Sequence, residues 1–222
     1  YYGRGAGQDA TASAVLSEPI AAAELIFLAE VADLPSGTVR ALEEAVARGA
    51  GLVIFPGPGA NRQFYNTVLH DPLRPSATLL PVTLGELVSS TRPDSEWPRL
   101  ADIAWDHPLL ARLRDPVYGD FDQVRGNTWY RLLNDPAMRP TTVLARWGET
   151  PAILEHAVGA GRVLLVNSSA NDRWTDLPRR PCYLPLVDRL LRYLTGGPRR
   201  GQFQVGDLVA MPLPPAPGDL TV

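Results

Sequence analysis

The richest set of chemical groups in this 222-residue chain follows a late apolar run. The loop NSSANDRWTDLP, residues 167–178, holds six candidate binding residues: Asn167, Ser168, Ser169, Asp172, Trp174 and Asp176. Open α/β sheets bind ligands beyond the carboxyl ends of their strands. The loop therefore predicts a small-ligand or glycan site in which Trp174 stacks on the ligand. The alternative is structural, because Asn, Asp and Ser side chains commonly bond backbone groups at element ends.

A second candidate is Cys182, the single cysteine of the chain, which follows Arg179 and Arg180 near the start of a predicted helix. A helix N-terminus and neighbouring cations lower a thiol pKa. With His156 as its base, this thiol would give a hydrolase or an amidotransferase. The alternative is a packing role, which is usual for a lone cysteine on an apolar helix face.

A third candidate is the turn PGPGAN, residues 56–61, which joins an apolar run to a helix-like stretch. Arg62 stands where a dinucleotide fingerprint needs its third glycine, and the chain contains no lysine for a P-loop or a Schiff base. No serine, cysteine or threonine lies between Pro56 and Gln63, so a nucleophile elbow cannot form. The turn therefore predicts a structural connection between a strand and a helix.

Charge and histidine spacing narrow the function classes further. The net charge of -3 gives no general attraction to nucleic acid, so no nucleic-acid partner is expected. His70, His107 and His156 lack metal-ligand spacing to one another or to the cysteine. We expect no metal and no cofactor.

The elements that would position these groups follow an α/β pattern. Apolar runs at Leu25 to Ala29 and at Gly51 to Phe55 predict two buried strands. Between them, Ser36 is the predicted cap of a helix whose core face carries Val39, Leu42 and Val46. Strand, helix and strand at this spacing predict parallel strands joined by a right-handed crossover.

The patterns that predict strands and helices vary in strength along the rest of the chain. Strands are predicted at residues 79–84, 128–133 and 141–147, with a short helix at 107–113 and a short strand at 12–16. Residues 152–156 and 162–167 predict a β-hairpin across a glycine-containing turn. A helix is predicted from Pro181 to Leu194, and Leu184, Val187, Leu191 and Leu194 share one apolar stripe.

The chain changes character after Arg200. Residues 1–200 are predicted to form one domain, and residues 201–222 to be the start of a following β domain that is cut short. Their apolar residues predict one or two strands that pack on an edge or face of the preceding domain, or on a neighbouring molecule.

Three segments of the sequence resemble those of a known family. They are AELIFLAEVADLPSGTVRALEEAVARGAGLVIFPG, TPAILEHAVGAGRVLLVNSSANDRWTDLP and YLPLVDRLLRYLTG. Together they resemble the class I glutamine amidotransferase-like domain of large bacterial membrane proteins of the BatA, or aerotolerance-regulator, type. The resemblance spans roughly residues 20 to 196. It implies a flavodoxin-like three-layer αβα sandwich with a mainly parallel sheet, to which the 201–222 segment adds a β extension.

The same resemblance implies a loss of catalysis. Catalytic relatives carry cysteine after the strand that matches residues 52–55, where this chain has Gly57, Pro58, Gly59 and Ala60. Their histidine and glutamate follow a late strand, where this chain has Asn167 to Ala170. We therefore expect a non-catalytic interaction or scaffold domain.

The family also implies a location and a class of partner. The expected parent protein is anchored in the membrane through parts outside this sequence, with this domain on the extracytoplasmic, periplasmic side. The expected partners are other protein domains of the same or a neighbouring envelope protein.

Overall fold

The fold combines helices with two β-sheets in the computed structural model, which describes residues 19–74, 77–93, 96–134 and 141–196. The eight strands are β1 (Leu25–Ala29), β2 (Gly51–Phe55), β3 (Val82–Ser89), β4 (Leu100–Ala101), β5 (Thr128–Asn134), β6 (Thr142–Trp147), β7 (Thr150–Val158) and β8 (Gly161–Val166). The longer helices are α1 (Ser36–Arg48) and α2 (Tyr183–Leu194). Shorter helical turns cover Arg62–Phe64, Tyr65–Leu69, Ala111–Arg114, Pro116–Tyr118, Phe121–Gln123 and Leu177–Arg179.

The larger sheet has six strands in the order β1-β2-β8-β7-β6-β4. Strand β2 pairs in parallel with both β1 and β8, whereas β8–β7, β7–β6 and β6–β4 are antiparallel. The predicted α/β class, the parallel pairing of β1 with β2 and the β7–β8 hairpin are all confirmed. Strands β1, β2, β8 and β6 share one direction, so the sheet is mixed.

Alternate side chains of the central strands feed two cores on opposite faces of this sheet. In β2, Val53 and Phe55 join the core that contains the buried side of α2. Leu52 and Ile54 point the other way, into the core that contains α1. The smaller antiparallel sheet, β3 with β5, also contributes side chains to both cores.

The start of α1 differs from the sequence prediction. Ser36 is the first helical residue, Pro35 takes the cap position, and no side chain caps the helix. The Pro35 carbonyl accepts from the backbone N–H groups of Thr38 and Val39. Proline suits this place because its fixed φ is already close to the helical value. At the other end Gly49, at φ 125, takes the position after the last helical residue.

The predicted apolar stripe of the last helix is wrong in its orientation. Helix α2 starts at Tyr183 and buries Leu186, Leu190 and Leu194. Leu184 is 75% exposed and Leu191 is 43% exposed. The helix carries two apolar stripes, and its own periodicity does not tell which of them faces the sheet.

Two elements of the middle region differ from the sequence prediction in position or length. Strand β3 begins at Val82 because Pro81 has no N–H for a ladder, and buried Leu79 and Leu80 bond the Leu69 carbonyl instead. The helix expected from His107 is reduced to single turns that end with Ala111–Arg114. The strand predicted at 12–16 and the whole 201–222 segment lie outside the described residues.

Candidate functional site

The carboxyl ends of the parallel strands β1, β2 and β8 meet at one edge of the sheet. Glu30 follows β1, the 56–61 turn follows β2, and Asn167 and Ser168 follow β8. The Glu30 N–H donates to the Phe55 carbonyl at 2.8 Å, and the Gly57 N–H donates to the Ser168 carbonyl at 3.2 Å. Backbone hydrogen bonds therefore hold these three strand ends together.

Glycines permit the tight backbone of the 56–61 turn, and an asparagine caps the helical turn that follows it. Gly57 has φ 58, and a side chain there would collide with the side chain of Glu30. A Cβ at Gly59 would lie 2.8 Å from the Glu30 carbonyl oxygen. Asn61 caps the next helical turn, because its Oδ1 accepts from the N–H groups of Gln63 and Phe64. These contacts are those of a strand-to-helix connection.

Glu30 is the notable group at this edge that the sequence did not reveal. Its φ of 56 is left-handed, which is rare for a residue other than glycine, asparagine or aspartate. Its Oε1 is buried and makes no hydrogen bond to any described residue. Buried polar atoms are normally satisfied, so this carboxylate oxygen is available to a donor such as water or a ligand.

Asn167, the first predicted site residue, is fully buried and ties the two sheets together. Its Oδ1 accepts from the Tyr130 N–H at 3.0 Å, and its Nδ2 donates to the Tyr130 carbonyl at 2.7 Å. Nδ2 also donates to the Pro151 carbonyl at 3.1 Å. The side-chain amide thus acts as one more peptide group between β5 and the end of β8, and we call this arrangement the Asn167 clasp.

Ser168, Ser169 and Trp174 are also buried. The Ser169 hydroxyl donates to the Asn171 carbonyl at 2.8 Å and accepts from the Trp174 N–H at 3.1 Å. The Trp174 ring packs edge-on against Tyr130, with ring centroids 5.5 Å apart. An indole at 7% exposure has little ring surface left for a ligand, which does not support the expected stacking role of Trp174.

The other two predicted residues, Asp172 and Asp176, line an open cavity of about 390 Å³ beside the loop. We call it the Asp–Arg cavity; its other main lining residues are Trp97, Asp120, Arg179 and Arg180. Arg180 lies between two carboxylates, with Nε 2.9 Å from Asp176 and Nη1 2.8 Å from Asp120. Arg179 pairs with exposed Asp172 at 2.7 Å.

The electrostatics of this cavity are those of a polar binding surface. The hydrogen bonds that Arg180 donates to the Asp176 carboxylate raise the pKa of its guanidinium above the usual value, with Asp120 adding to the effect. The guanidinium therefore stays charged at any physiological pH. Trp97 adds a half-buried aromatic ring, held by its own Nε1 donating to the Arg92 carbonyl at 3.1 Å. The cavity can offer an aromatic surface, carboxylates and guanidinium donors to one ligand.

Cys182 is placed unfavourably for catalysis. It is fully buried, and desolvation raises the pKa of its thiol to about 12, so the expected lowering of that pKa is wrong. The cysteine belongs to the core on the α2 face. His156 pairs with Val163, whose side chain faces the α1 core, so the sheet separates it from the thiol. The hypothesis of a Cys182–His156 pair is not supported by this placement.

A second polar cluster connects α2 to the sheet on the α2 face. Glu155 of β7 accepts from Tyr193 of α2 at 2.6 Å and lies 2.8 Å from His107 Nε2. Arg162 lies 3.3 Å from the same carboxylate and over the Tyr193 ring. Burial raises the pKa of Tyr193 to about 12, and the hydrogen bond to Glu155 adds to the rise. Every member has a partner within the cluster, which favours a role in fixing the helix.

Metal coordination has no obvious place in the described parts of the chain. There, no three His, Cys, Asp or Glu side chains converge as a metal ion requires. The carboxylates of the Asp–Arg cavity are occupied instead by ion pairs with arginines.

Solved structures share this fold at low sequence identity. The chain matches cytoplasmic protein STM1381 from Salmonella typhimurium LT2 with TM-score 0.58 and 16% identity, over 80% of this chain and 74% of that one. It matches cytoplasmic protein STM3548 from Salmonella typhimurium with TM-score 0.57 and 14% identity, over the same shares. The mmIFT52 N-terminal domain matches with TM-score 0.51 and 13% identity, over 82% of this chain and 81% of that one. At these identities the likeness establishes the fold alone.

No family model matches the sequence, and no curated protein matches it either. The expected membrane-anchored, extracytoplasmic location is contradicted, since two structures with this fold are named cytoplasmic proteins. In the parts of the chain described above, no helix has the length and apolar character needed to span a bilayer.

Proposed function

We propose that this chain is a non-catalytic domain that works by binding other protein domains. The observation that carries the proposal is that the groups at the strand ends serve the packing and hydrogen bonding of the fold itself. Where a catalytic relative would hold its nucleophile, the turn after β2 has Gly57 and Gly59 close against Glu30. Where it would hold its base, Asn167 bonds backbone groups. Neither place offers a group that attacks a substrate.

We also propose a flavodoxin-like three-layer sandwich and a distant relation to class I glutamine amidotransferase-like domains. The support is the arrangement of layers: α1 packs on one face of the sheet and α2 on the other. The parallel β1–β2–β8 ladder lies between them. The antiparallel β7, β6 and β4 extend the sheet beyond this parallel part.

The surface we assign to partner binding is the Asp–Arg cavity. It combines a half-buried indole with exposed charges of both signs, and tryptophan and arginine are the residue types that contribute most to protein interfaces. Asp172 and Arg179, 51% and 63% exposed in their side chains, stand at its rim. Rim charges set the approach and the specificity of a partner more than the final affinity.

The absence of catalysis is tested with the intact chain. We expect no release of ammonia from glutamine and no ester or amide hydrolysis above the level of heat-denatured protein. The matched variants Cys182→Ala and Glu30→Gln should leave this background unchanged. Turnover that falls at least about tenfold in either variant, a loss of roughly 1.4 kcal/mol in transition-state stabilisation, would make the chain an enzyme.

The binding surface is tested by charge reversal followed by cross-linking in the native host. Arg179→Glu disrupts one exposed ion pair, with Asp172, in the cavity; Arg40→Glu disrupts one exposed ion pair, with Glu44, on α1. We expect the yield of a defined cross-linked partner to fall roughly tenfold with Arg179→Glu, because rim charges control association. It should stay unchanged with Arg40→Glu. Equal yields from both variants would rule out the cavity as the interface.

A second function, small-ligand or glycan binding, is favoured by the position of Trp97. An indole beside carboxylates and arginines is suited to a polar ring-shaped ligand, which stacks on the ring and bonds the charged groups. The test is a glycan and metabolite screen read by titration calorimetry. Binding should disappear with Trp97→Ala and with Asp172→Asn, and persist with Asp102→Asn, which alters an exposed carboxylate paired with Arg146. Binding that survives Trp97→Ala would refute this site.

A further inference from the structure

An apolar cavity of about 190 Å³ lies between the larger sheet and helix α2. Side chains from β1, β2, β8 and β7 line it on one side, and side chains from α2 line it on the other. It shares no lining residue with the Asp–Arg cavity. We call it the α2 cavity, and it is independent of the binding surface assigned above.

Most of the wall of the α2 cavity belongs to the core. Eight of its thirteen lining residues are buried, so the space is enclosed by the layers of the fold and is not a shallow surface groove. Protein interiors pack as densely as organic crystals, and voids larger than a water molecule are few in a domain. A void of about 190 Å³ is therefore much larger than imperfect packing alone leaves.

The chemistry of the wall decides what can occupy this space. Tyr183 is the one lining residue with a polar atom in its side chain. A buried water needs about two to four polar partners, which a single phenol hydroxyl does not provide. Apolar cavities of ~150 Å³ stay dry and bind benzene or xenon. The α2 cavity therefore accepts a neutral apolar molecule somewhat larger than benzene, and a charged molecule would lose its hydration without compensation.

The place of the cavity in the fold is one where ligands bind. Ala29, Phe55 and Val166 are the last residues of β1, β2 and β8, and all three line the cavity. Helix α1 follows β1 on one face of the sheet, whereas α2 follows β8 on the other face. The connections thus change faces between β2 and β8. Open α/β sheets bind ligands at the carboxyl ends of their strands, at such a change of face.

A ligand can enter at the edge of the sheet. Strand β1 is the first in the sheet order, with no strand on its other side among the described residues. Its Phe27 is 43% exposed, Ala29 is also exposed, and Val187 of α2 is half-buried. These three residues line the cavity and reach the surface, so they form its mouth. Exposed side chains change rotamer rapidly, and the Phe27 ring therefore does not block entry.

We propose that the α2 cavity is a binding site for a neutral apolar molecule of about six to eight carbon atoms, such as a small ring with a short alkyl substituent. The volume sets the size of the ligand, and the carbon-lined wall sets its class. The mouth beside β1 gives the ligand its path, and the strand ends give the site its place in the fold.

The test is a titration of the full chain with toluene, followed by NMR of the methyl groups. The signals of Val166 and Leu186, which line the cavity, should shift and saturate. Those of Leu79 and Leu80, in the core on the α1 face, should stay in place. Benzoate, the same ring with a carboxylate in place of the methyl group, should shift none of these signals at neutral pH.

Substitutions that fill the cavity provide the matched variants. Ala29→Leu fills it from β1, and Ala170→Leu fills it from the loop after β8. Ala41→Leu makes the same change at a half-buried position of α1, on the opposite face of the sheet. The affinity for toluene should fall at least about tenfold in each filling variant, because the ligand loses its space, and stay unchanged in Ala41→Leu. Circular dichroism of every variant verifies that the parent fold is kept.

Four results would overturn the proposal. A parent chain that shows no saturable shift up to the solubility limit of toluene would have a cavity that is closed or filled by another part of the chain. Equal shifts in the core on the α1 face would show unspecific partition of toluene into the protein. An affinity that survives both filling variants would place the ligand elsewhere. Benzoate that binds as tightly as toluene would refute the apolar class of the site.

Discussion

Replacing Asn167 by alanine should destabilise the protein far more than its small change in volume suggests. The substitution removes three hydrogen bonds from the side-chain amide: two to the backbone of Tyr130 and one to the Pro151 carbonyl. Each such bond contributes about 1 kcal/mol net, so the expected loss is about 3 kcal/mol. For a domain of this size that corresponds to a fall in thermal midpoint of about 6–12 °C.

The assay is urea unfolding followed by tryptophan fluorescence, together with a thermal melt. Trp147 is a local reporter, since its Nε1 donates to the Asn167 carbonyl at 3.3 Å. The matched control is Asn171→Ala in the same loop, where the amide oxygen accepts one exposed bond from the Arg173 N–H at 3.0 Å. That variant should lose at most about 1 kcal/mol.

Asn167→Asp separates the two roles of the clasp. The carboxylate keeps an acceptor for the Tyr130 N–H but has no donor for the Tyr130 and Pro151 carbonyls. Burying it against two carbonyl oxygens should destabilise the fold at neutral pH at least as much as alanine does. If Asn167→Ala and Asn171→Ala had equal effects, the two sheets would not depend on this amide, and the reasoning would be refuted.

Three further outcomes follow from single positions. Gly161→Ala should cost about 3 kcal/mol because its Cβ would collide with backbone carbonyls at the end of α1; Gly148→Ala, with open space around it, should cost only about 1 kcal/mol, and equal costs in urea unfolding would contradict this. Cys182 should react with a thiol reagent at least about a hundredfold faster in denaturant than in buffer, since burial restricts the thiolate; similar rates would show an accessible thiol. The phenol of Tyr193 binds its proton more tightly in the folded state, so stability should fall as pH rises from 10.0 to about 12; in urea unfolding at each pH, Tyr193→Phe should make this fall shallower without removing it, because burial also raises the pKa values of Tyr65, Tyr130 and the Cys182 thiol, and an unchanged slope would contradict the assignment.

The parts of the fold that the sequence predicted are those governed by local pattern. The strands Leu25–Ala29 and Gly51–Phe55 match their apolar runs residue for residue. The β7–β8 hairpin follows from two apolar runs around a glycine-containing turn. In each case, the burial and the turn chemistry are set by residues close together in the chain.

The parts that the sequence did not predict depend on contacts between distant residues. The stripe of α2 that faces the sheet is chosen by the position of the sheet, since both stripes are apolar. The amide of Asn167 bonds Tyr130, and nothing near either residue indicates the other. Trp97 reaches the Asp–Arg cavity from a proline-punctuated region without periodicity. Among the charged partners of the loop, only Arg179 and Arg180 lie close to it in the sequence, so only these two could be anticipated.

The central parallel ladder has a consequence for synthesis of the chain. Strand β2 is buried along its whole length, yet its second partner β8 lies far downstream in the sequence. A ribosome adding about 5–20 residues per second completes the β1–α1–β2 unit several seconds before β8 emerges. During that interval β2 presents an apolar face and an unpaired edge. Non-local parallel pairing of this kind is slow and prone to aggregation, so the nascent chain is the form of this protein that most needs a chaperone.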